Sequence, residues 1–415
     1  MKYGLVGKSL GHSYSKLIHE QLDSKPYELL SLDETQLDHL LKEKDFIGIN
    51  VTIPYKETVI KYLDEIDEVA KEIGAVNAIA NINGKLKGYN TDYYGLKKII
   101  TSSTIDVENK NTFILGSGGT KNTAIKVLKD LKAKSITVVS RTKSEDTITY
   151  DEFNKLDNVQ VIVNTTPIGM FPNIEGEIIN LDNFSHLEGV IDVVYNPYNT
   201  RLVTKAKLKG IKAIGGLKML VEQGIKASEL FTSSTYSSSK YKEVFSSLYE
   251  SRRNIVLIGL PMSGKTTIGS TLSSSLNKKF IDLDAEIEKE ANMSISSIFE
   301  TYGEEHFRKL EREITLKYSK ETNLVISTGG GIIKNEENML NLMANGLIVY
   351  LTRDENQLVY SSSRPLTKNK EEYLLLKSQR EPLYKKYASI TIDNSSTIEE
   401  CVNKIKEAFY EDINY

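Results

Sequence analysis

The chain has 415 residues, 40% of them hydrophobic and 26% charged, and a net charge of −3 at pH 7. At about 150 residues per domain, this length predicts two or three domains, while the composition excludes disordered and collagen-like proteins. The near-balanced charge excludes a field that attracts nucleic acid or an anionic membrane. Cys401 has no cysteine to pair with, no apolar run reaches the ~18 residues of a membrane span, and the start of the chain lacks a signal core. We therefore expect a cytoplasmic protein that binds small molecules, of an oligomeric state the sequence leaves open.

Short runs rich in Val and Ile alternate with stretches of helical period, which is typical of parallel α/β folds. Two of these runs, 112–115 and 255–258, lead directly into glycine loops that begin at Gly116 and Gly259. Each loop is expected to join a strand to a helix. Because the two loops differ in kind and share no repeat, the sequence predicts a fusion of two unlike enzymes.

The segment between the two loops contains a polar, serine-rich stretch at 232–240. A short helix is expected at 241–249, and we place the domain boundary near Ser251. The predicted domains are therefore residues 1–250 and 251–415.

The first loop carries glycines that would let the backbone approach a pyrophosphate at a helix N-terminus. A plain structural turn is the alternative. The strand predicted at 135–139 ends in Arg141 and Lys143, where an NAD-binding fold carries an acidic residue for the ribose 2′-hydroxyl. Two cations there favour a 2′-phosphate, and thus NADP, whereas a solvated basic strand end is the alternative. The candidate cofactor contacts are Gly116, Gly118, Gly119, Ser140, Arg141 and Lys143.

Polar clusters surround this loop in a fixed order along the chain. They are Ser13 and Ser15, then 50–56 (NVTIPYK), 74–77 (GAVN), 90–92 (NTD), 164–170 (NTTPIGM), 192–197 (DVVYNP) and 215–223 (GGLKMLVEQ). Together they resemble shikimate dehydrogenase over residues 1 to about 250. The resemblance implies an α/β enzyme of two lobes, a substrate lobe of 1–104 plus 216–250 and a Rossmann NADP-binding lobe of 105–215. Singly, the serines could cap a helix, Asn90 and Asp92 could form a turn, and Lys56 could be a surface charge.

The chemistry that this resemblance implies is the NADPH-dependent reduction of 3-dehydroshikimate to shikimate. Because negative charge develops on the ketone oxygen, a cation able to donate a proton must lie beside it, and Lys56 fits that role. The resemblance gives Asp92 the role of holding the Lys56 ammonium and a substrate hydroxyl. It also places Ser13, Ser15, Thr52, Asn77, Asn90, Tyr195 and Gln223 around the substrate, and Met170 and Gly215 at the cofactor. Lys218 departs from the family, which usually has glycine there, near the nicotinamide.

The second loop, 259–266 (GLPMSGKT), matches the Gly-x-x-x-x-Gly-Lys-Thr pattern of a Walker A loop. In such a loop the backbone cradles the phosphates, Lys265 reaches the β and γ oxygens, and Thr266 binds Mg²⁺. The sequence therefore predicts ATP and Mg²⁺. The candidate nucleotide contacts are Gly259, Gly264, Lys265, Thr266 and Thr267.

Five motifs downstream suggest the acceptor. They are 280–284 (FIDLD), 303–308 (GEEHFR) with Glu311, 329–331 (GGG), 364–366 (RPL) and 380–384 (REPLY). Together with the loop they resemble shikimate kinase over residues 253–410. The resemblance implies a P-loop kinase with a parallel sheet, which phosphorylates shikimate to shikimate 3-phosphate.

The resemblance also assigns roles within this second site. In an alternating strand Asp282 and Asp284 would point the same way, with Asp282 helping to hold Mg²⁺ and Asp284 acting as base. Arg308 and Arg380 would bind the substrate carboxylate, although ion pairing on a charged helix is the alternative for both. The remaining predicted contacts are Arg364, on a lid, and the close-approach glycines Gly329, Gly330 and Gly331.

Three features depart from the kinase family. Met262 occupies a position often held by glycine, the lid segment 360–363 is short, and no arginine precedes Arg364 to stack on adenine.

The two resemblances together predict a bifunctional enzyme of aromatic biosynthesis that catalyses two consecutive steps. A sensor or repressor built from degenerate copies of these domains is the alternative from another class, but it should have lost catalytic residues that this chain keeps. An NAD-preferring quinate or shikimate dehydrogenase is the nearer alternative, against which Arg141 argues.

Overall fold

The structure is a computed structural model that describes residues 2–10, 13–358 and 369–413. Two compact units make up the chain. Unit 1 comprises Met1–Met170, Glu177–Asn196 and Lys209–Leu248, and unit 2 comprises Phe171–Gly176, Pro197–Leu208 and Tyr249–Tyr415. No helix in the described part of the chain is long and apolar enough to cross a membrane.

The first sheet of unit 1 is mixed and has the strand order β2-β1-β3-β5-β6-β4. Its strands are β1 (Tyr3–Gly7), β2 (Tyr27–Ser31), β3 (Gly48–Val51), β4 (Glu65–Ile66), β5 (Ala78–Ile82) and β6 (Lys85–Tyr89). The accompanying helices are α1 (Tyr14–His19), α2 (Glu34–Glu43), α3 (Glu68–Ile73), α4 (Thr91–Thr101) and the 3₁₀ helix Thr58–Tyr62. Strand β1 pairs in parallel with β2 and β3, whereas β5 pairs antiparallel with β3 and β6.

The second sheet of unit 1 is wholly parallel, in the order β12-β11-β10-β7-β8-β9. Its strands are β7 (Asn111–Leu115), β8 (Ser135–Ser140), β9 (Thr147–Thr149), β10 (Val161–Asn164), β11 (Gly189–Asp192) and β12 (Lys212–Ile214). The helices of this stretch are α5 (Lys121–Asp130), α6 (Tyr150–Phe153), the 3₁₀ helix Leu181–Asn183, and α7 (Arg201–Leu208), which belongs to unit 2. A parallel sheet is buried on both faces, which explains why consecutive residues of β7 and β10 are buried rather than alternate ones.

The helix α8 (Leu217–Thr232) is followed by α9 (Ser238–Arg252), within which unit 1 ends at Leu248. The polar stretch predicted at 232–240 is therefore partly helical, and residues 233–237 connect the two helices. The helix expected at 241–249 is also longer than predicted. Serine is a weak helix former, but Val244, Phe245 and Leu248 are buried, and tertiary burial outweighs local propensity. Ser251, near which we predict the domain boundary, lies inside α9.

Unit 2 is built on a five-stranded parallel sheet in the order β14-β15-β13-β16-β17. Its strands are β13 (Asn254–Ile258), β14 (Lys279–Asp282), β15 (Leu324–Ser327), β16 (Gly346–Thr352) and β17 (Ile390–Asp393). Its helices are α10 (Lys265–Leu276), α11 (Leu283–Ala291), α12 (Ile295–Lys320), α13 (Glu336–Asn345), α14 (Lys370–Tyr387), α15 (Ile398–Glu411) and the 3₁₀ helices Ile332–Lys334 and Glu355–Gln357. The central strand β13 is buried throughout, so its carboxyl end presents the Walker A loop from a rigid support.

Candidate active sites

A cavity of about 430 Å³ in unit 1 collects residues from the ends of both sheets and from α8. The predicted site residues that line it are Ser13, Ser15, Thr52, Lys56, Asn77, Asp92, Gly118, Gly119, Met170, Tyr195 and Gln223. Residues predicted for substrate and for cofactor thus share one cavity.

An ion pair lies in this cavity. The Lys56 Nζ is 2.6 Å from the Asp92 Oδ2, and the two side chains are 20% and 16% exposed. Asp92 is in the first turn of α4, where the helix dipole stabilises a carboxylate. Partial burial strengthens the attraction, because less water screens the two charges.

Ser13 and Asn90, which are predicted to contact the substrate, each cap a helix. Ser13 caps α1, since its Oγ accepts a hydrogen bond from the Ser15 backbone N–H at 3.2 Å, and both serines line the cavity as well. Asn90 caps α4 by accepting from the Tyr93 N–H at 3.1 Å, and its Nδ2 donates to the Ala75 carbonyl at 2.9 Å. Asn90 is buried and does not line the cavity. Its side chain therefore acts as a helix cap in this structure.

The glycine loop of unit 1 leaves room beside a helix end. Gly116 has φ +103°, in the left-handed region that favours glycine, and a Cβ there would lie 2.7 Å from the Thr166 Cγ2. Among the residues that the structure describes, a Cβ at Gly118 or Gly119 would meet no heavy atom within 4 Å. Helix α5 begins after Thr120 without a side-chain cap. The Lys121 N–H bonds to the Gly118 carbonyl at 3.0 Å, and the N–H groups of Asn122 and Thr123 in the same first turn point toward the end of the helix where a pyrophosphate would bind.

The three residues predicted to lie near the 2′-phosphate of NADP differ in the contacts that their side chains make. The Ser140 hydroxyl is buried and donates to the Thr142 carbonyl, and the Lys143 ammonium pairs with Glu152. Arg141 is exposed, and no hydrogen bond or ion pair of its guanidinium occurs among the residues the structure describes. Of the three side chains, Arg141 is the one left available for a phosphate.

Two residues of the segment 215–223 are placed differently from the prediction. Gly216, rather than the predicted Gly215, lines the cavity, and a Cβ at Gly216 would lie 2.2 Å from the Val193 carbonyl oxygen. Lys218 is not among the cavity residues. Burial lowers its pKa, and its charged neighbours are Glu222 and Lys98.

Other residues that line the cavity were missed. They are Leu5, Asn50, Val51, Ile53, Thr120, Thr165, Thr166, Pro167, Val193, Val194, Gly216, Met219 and Leu220. Most lie within or beside the motifs already named, at the ends of β3, β10 and β11. The rule that ligands bind at the carboxyl ends of parallel strands would have found several of them.

In unit 2 the Walker A lysine is held by its own loop. The Lys265 Nζ donates to the carbonyls of Gly259 at 2.9 Å and Leu260 at 3.0 Å. Burial lowers the pKa of Lys265 to about 8, and the nearby carboxylates of Asp284 and Asp282 oppose that shift only in part. Gly264 has φ +90° at the start of α10, and Thr266 and Thr267 are exposed in its first turn.

The geometry predicted for the two aspartates is wrong. Strand β14 ends at Asp282, and Asp284 is already in the first turn of α11. Asp282 caps α11, and its Oδ1 accepts from the Asp284 backbone N–H at 3.1 Å. The Asp282 Oδ2 accepts from the Thr266 hydroxyl at 2.9 Å. Burial, with the neighbouring Asp282 charge, raises the pKa of Asp284 to about 6.

The glycine run of unit 2 packs against the remaining predicted residues. A Cβ at Gly329 would lie 2.7 Å from the Asp284 Oδ1, and one at Gly331 would lie 3.1 Å from the Arg308 guanidinium. The Gly330 carbonyl accepts hydrogen bonds from the Arg380 Nη1 at 2.8 Å and the Tyr384 hydroxyl at 2.6 Å. Only glycine allows this close approach.

Arg308 lies in α12. The alternative to its binding the substrate carboxylate was ion pairing along this charged helix. Its guanidinium does pair with Glu311 at 3.0 Å and with Glu304 at 3.0 Å. Both pairs orient the guanidinium beside Gly331 rather than removing it from the site. Arg364 and the lid segment 360–363 lie outside the described residues.

Within the described ranges, no group of three His, Cys, Asp or Glu side chains is arranged to hold a metal ion. A Mg²⁺ bound with a nucleotide needs only one or two protein ligands, since phosphate oxygens and water complete its octahedron. The Thr266 hydroxyl and Asp282 carboxylate, 2.9 Å apart, fit that requirement.

Comparison with known proteins identifies the larger part of the chain. Over 264 residues it is 36% identical to the shikimate dehydrogenase (NADP(+)) of Clostridium perfringens, covering 59% of this chain and 97% of that protein. The chain belongs to the shikimate dehydrogenase family. The family model for the shikimate dehydrogenase substrate binding domain matches residues 5–79.

Solved structures agree with this assignment. A chorismate mutase/shikimate 5-dehydrogenase fusion protein from Clostridium acetobutylicum superposes with a TM-score of 0.55 at 34% identity, covering 60% of this chain and 97% of that one. The shikimate 5-dehydrogenase of Thermus thermophilus, in complex with NADP(H) and shikimate, gives 0.53 at 27% identity, covering 59% and 98%.

The rest of the chain matches a second family. Residues 261–410 match the shikimate kinase model. The chain is therefore a fusion of a dehydrogenase and a kinase, and both predicted resemblances and the predicted α/β fold class are confirmed.

Proposed function

We propose that this chain reduces 3-dehydroshikimate to shikimate with NADPH and then phosphorylates shikimate with ATP. One observation carries the proposal. The chain holds two sites, and shikimate is the product of the reaction proposed for the first and the substrate of the reaction proposed for the second. The cavity of unit 1 holds the Lys56–Asp92 pair, and unit 2 holds Lys265 and Asp284 at a Walker A loop.

In the first step NADPH supplies the hydride that reaches the ketone carbon. Lys56 donates a proton to the ketone oxygen as negative charge develops there. Asp92, 2.6 Å from the Lys56 Nζ, keeps the ammonium oriented and accepts a hydrogen bond from a substrate hydroxyl. Ser13 and Ser15 bind the substrate carboxylate, and Thr52, Asn77, Tyr195 and Gln223 bind the rest of the ring.

Cofactor choice in this step rests on Arg141. Its free guanidinium pairs with the 2′-phosphate of NADPH, for which NADH has no counterpart. The N-terminus of α5 and the open sides of Gly118 and Gly119 accept the pyrophosphate.

In the second step Asp284 takes the proton of the shikimate 3-hydroxyl. The oxygen then attacks the γ-phosphorus of ATP, the bond to the β-phosphate oxygen breaks, and ADP leaves. Lys265 stabilises the charge on the phosphate oxygens, and Arg308 and Arg380 bind the substrate carboxylate. Mg²⁺, held by Thr266 and Asp282, supplies charge neutralisation at the phosphates.

A two-stage assay tests the proposal. The full chain with 3-dehydroshikimate and NADPH should consume NADPH, and added MgATP should then yield ADP and shikimate 3-phosphate. Two variants are the controls. Lys56→Ala should stop NADPH consumption but still phosphorylate added shikimate, and Lys265→Ala should consume NADPH without forming ADP. Absence of turnover in both stages by the unmodified chain would contradict the proposal and favour a binding protein.

A further inference from the structure

A buried aromatic pair lies behind the cavity of unit 1 and has no role in the steps above. His19, at the end of α1, stacks on Tyr27, at the start of β2, with ring centroids 4.1 Å apart and planes 4° apart. Both side chains are fully buried. The His19 Nδ1 is 2.5 Å from the Ser24 hydroxyl oxygen, which fixes the rotation of its ring. Burial lowers the pKa of His19 to about 3, so this ring is uncharged at neutral pH and contributes packing.

Tyr27 is connected to the cavity through the side chain of Asn50. Its hydroxyl is 2.7 Å from the Asn50 Oδ1, and the Asn50 Nδ2 is 3.3 Å from the Asn77 carbonyl oxygen. A backbone carbonyl only accepts hydrogen bonds, so the nitrogen of the amide must face Asn77. The amide oxygen therefore faces Tyr27, and the phenol must be the donor. This settles the orientation of an asparagine that lines the cavity.

The hydrogen bonds continue along the cavity wall. The Asn77 Oδ1 accepts from the Thr91 N–H at 2.6 Å, and the Thr91 hydroxyl lies 3.3 Å from the Gln223 Oε1. Asn50, Asn77 and Gln223 all line the cavity. The polar wall is thus one connected chain, and Tyr27 is its buried end.

We propose that Tyr27 is a positioning residue for substrate binding in unit 1, with His19 holding its ring in place. By donating to the Asn50 Oδ1, Tyr27 keeps the Asn50 amide in the one orientation that presents the wall to the hydroxyls of the substrate. The proposal rests on the function proposed above. Without the phenol the Asn50 oxygen loses its donor at 2.7 Å, and His19 is the side chain left beside the Asn50 amide, which is then held less firmly against turning toward water or substrate.

The test is Tyr27→Phe in the full chain, assayed as oxidation of shikimate by NADP⁺. The substitution keeps the stacked ring and removes only the hydroxyl. We expect the KM for shikimate to rise about tenfold, as the loss of one hydrogen bond implies. The KM for NADP⁺, the pH profile of kcat and the kinase activity should stay within about twofold of the unmodified chain, since one hydrogen bond far from those groups does not reach them.

Tyr62→Phe is the matched control. The Tyr62 hydroxyl donates to the Asp38 Oδ1 at 2.8 Å in the same part of unit 1, away from the cavity. Its removal should leave both KM values unchanged.

A double-mutant cycle separates positioning from general stability. If Tyr27 acts through Asn50, Tyr27→Phe should raise the KM for shikimate in the unmodified chain but not in the Asn50→Ala background. An equal rise in both backgrounds, or a lower melting temperature with unchanged KM, would overturn the positioning role. Those results leave the proposed function intact, whereas an unmodified chain that does not oxidise shikimate would overturn both proposals.

Discussion

The two active sites differ in what contacts the ammonium group of their lysine. In unit 1 the Lys56 ammonium and the Asp92 carboxylate are in direct contact at 2.6 Å. In unit 2 the Lys265 ammonium contacts neutral carbonyl oxygens instead, and burial moves the pKa of Lys265 down to about 8 and that of Asp284 up to about 6. In unit 2 desolvation outweighs the attraction between Lys265 and Asp284 and shifts each group toward neutrality.

The difference suits the two reactions. A proton donor to a ketone needs an ammonium that is held in place, whereas a base that takes a hydroxyl proton works best with a pKa close to the working pH. Four predictions test this contrast, beginning with the largest expected effect.

Lys56→Ala should lower the dehydrogenase kcat by roughly 10²–10⁴, the typical contribution of a positioned acid–base group. The substitution leaves Asp92 without its partner and the ketone without its proton donor. NADPH oxidation with saturating 3-dehydroshikimate measures the effect, and kinase activity should not change. Lys61→Ala, which removes an exposed lysine nearby, is the control. Retention of more than about a third of the rate would show that Lys56 is not the donor.

Arg141→Ala should weaken NADPH binding by roughly 10- to 100-fold, the value of one charge-assisted hydrogen-bonded contact of ~1.5–3 kcal/mol. Binding of NADH should change little, because it lacks the 2′-phosphate. Lys143→Ala should have a smaller effect, since Glu152 already pairs with that ammonium. Fluorescence titration with both nucleotides measures the difference. Equal losses for NADPH and NADH would mean that Arg141 supports the fold instead.

Gly329→Ala should lower the kinase kcat by about tenfold, because the new methyl group displaces the Asp284 carboxylate by a fraction of an ångström. Gly118→Ala is the matched substitution in unit 1, where the methyl group meets no protein atom within 4 Å. It should raise the KM for NADPH and leave the melting temperature unchanged. Steady-state kinetics of both activities, with thermal melts, distinguish the two. A stability loss in Gly118→Ala without a KM change would contradict the open loop.

The pH dependence of the kinase should be a narrow bell. Asp284 must be ionised to accept a proton, so kcat/KM should fall about tenfold per unit as pH drops below about 6. Lys265 must be charged, so kcat/KM should also fall as pH rises above about 8. Lys265→Arg should abolish the alkaline fall in whatever activity it keeps, because a guanidinium does not titrate there. An alkaline limb that survives in Lys265→Arg would assign it to another group.

Much of each site could be predicted because its residues sit in short local patterns. Eleven predicted residues line the cavity of unit 1, as the ordered motifs implied. The strand geometry predicted for Asp282 and Asp284 was wrong, since period-2 alternation cannot indicate where a strand gives way to a helix. The cap that Asn90 forms on α4 was not predicted, because the same residue type serves as a helix cap or as a substrate contact.

The sequence by itself determined the two families, the order of their motifs and the phosphate-binding loops, because a glycine loop between strand and helix is a local structure. Only the tertiary structure decided which distant groups meet. Thr91 and Gln223 are 132 residues apart and form a hydrogen bond, and Tyr27 meets Asn50 across two strands that both pair with β1. A hydrogen bond requires its atoms to lie about 3 Å apart. Strand register and helix packing set that distance, and residue spacing along the chain does not.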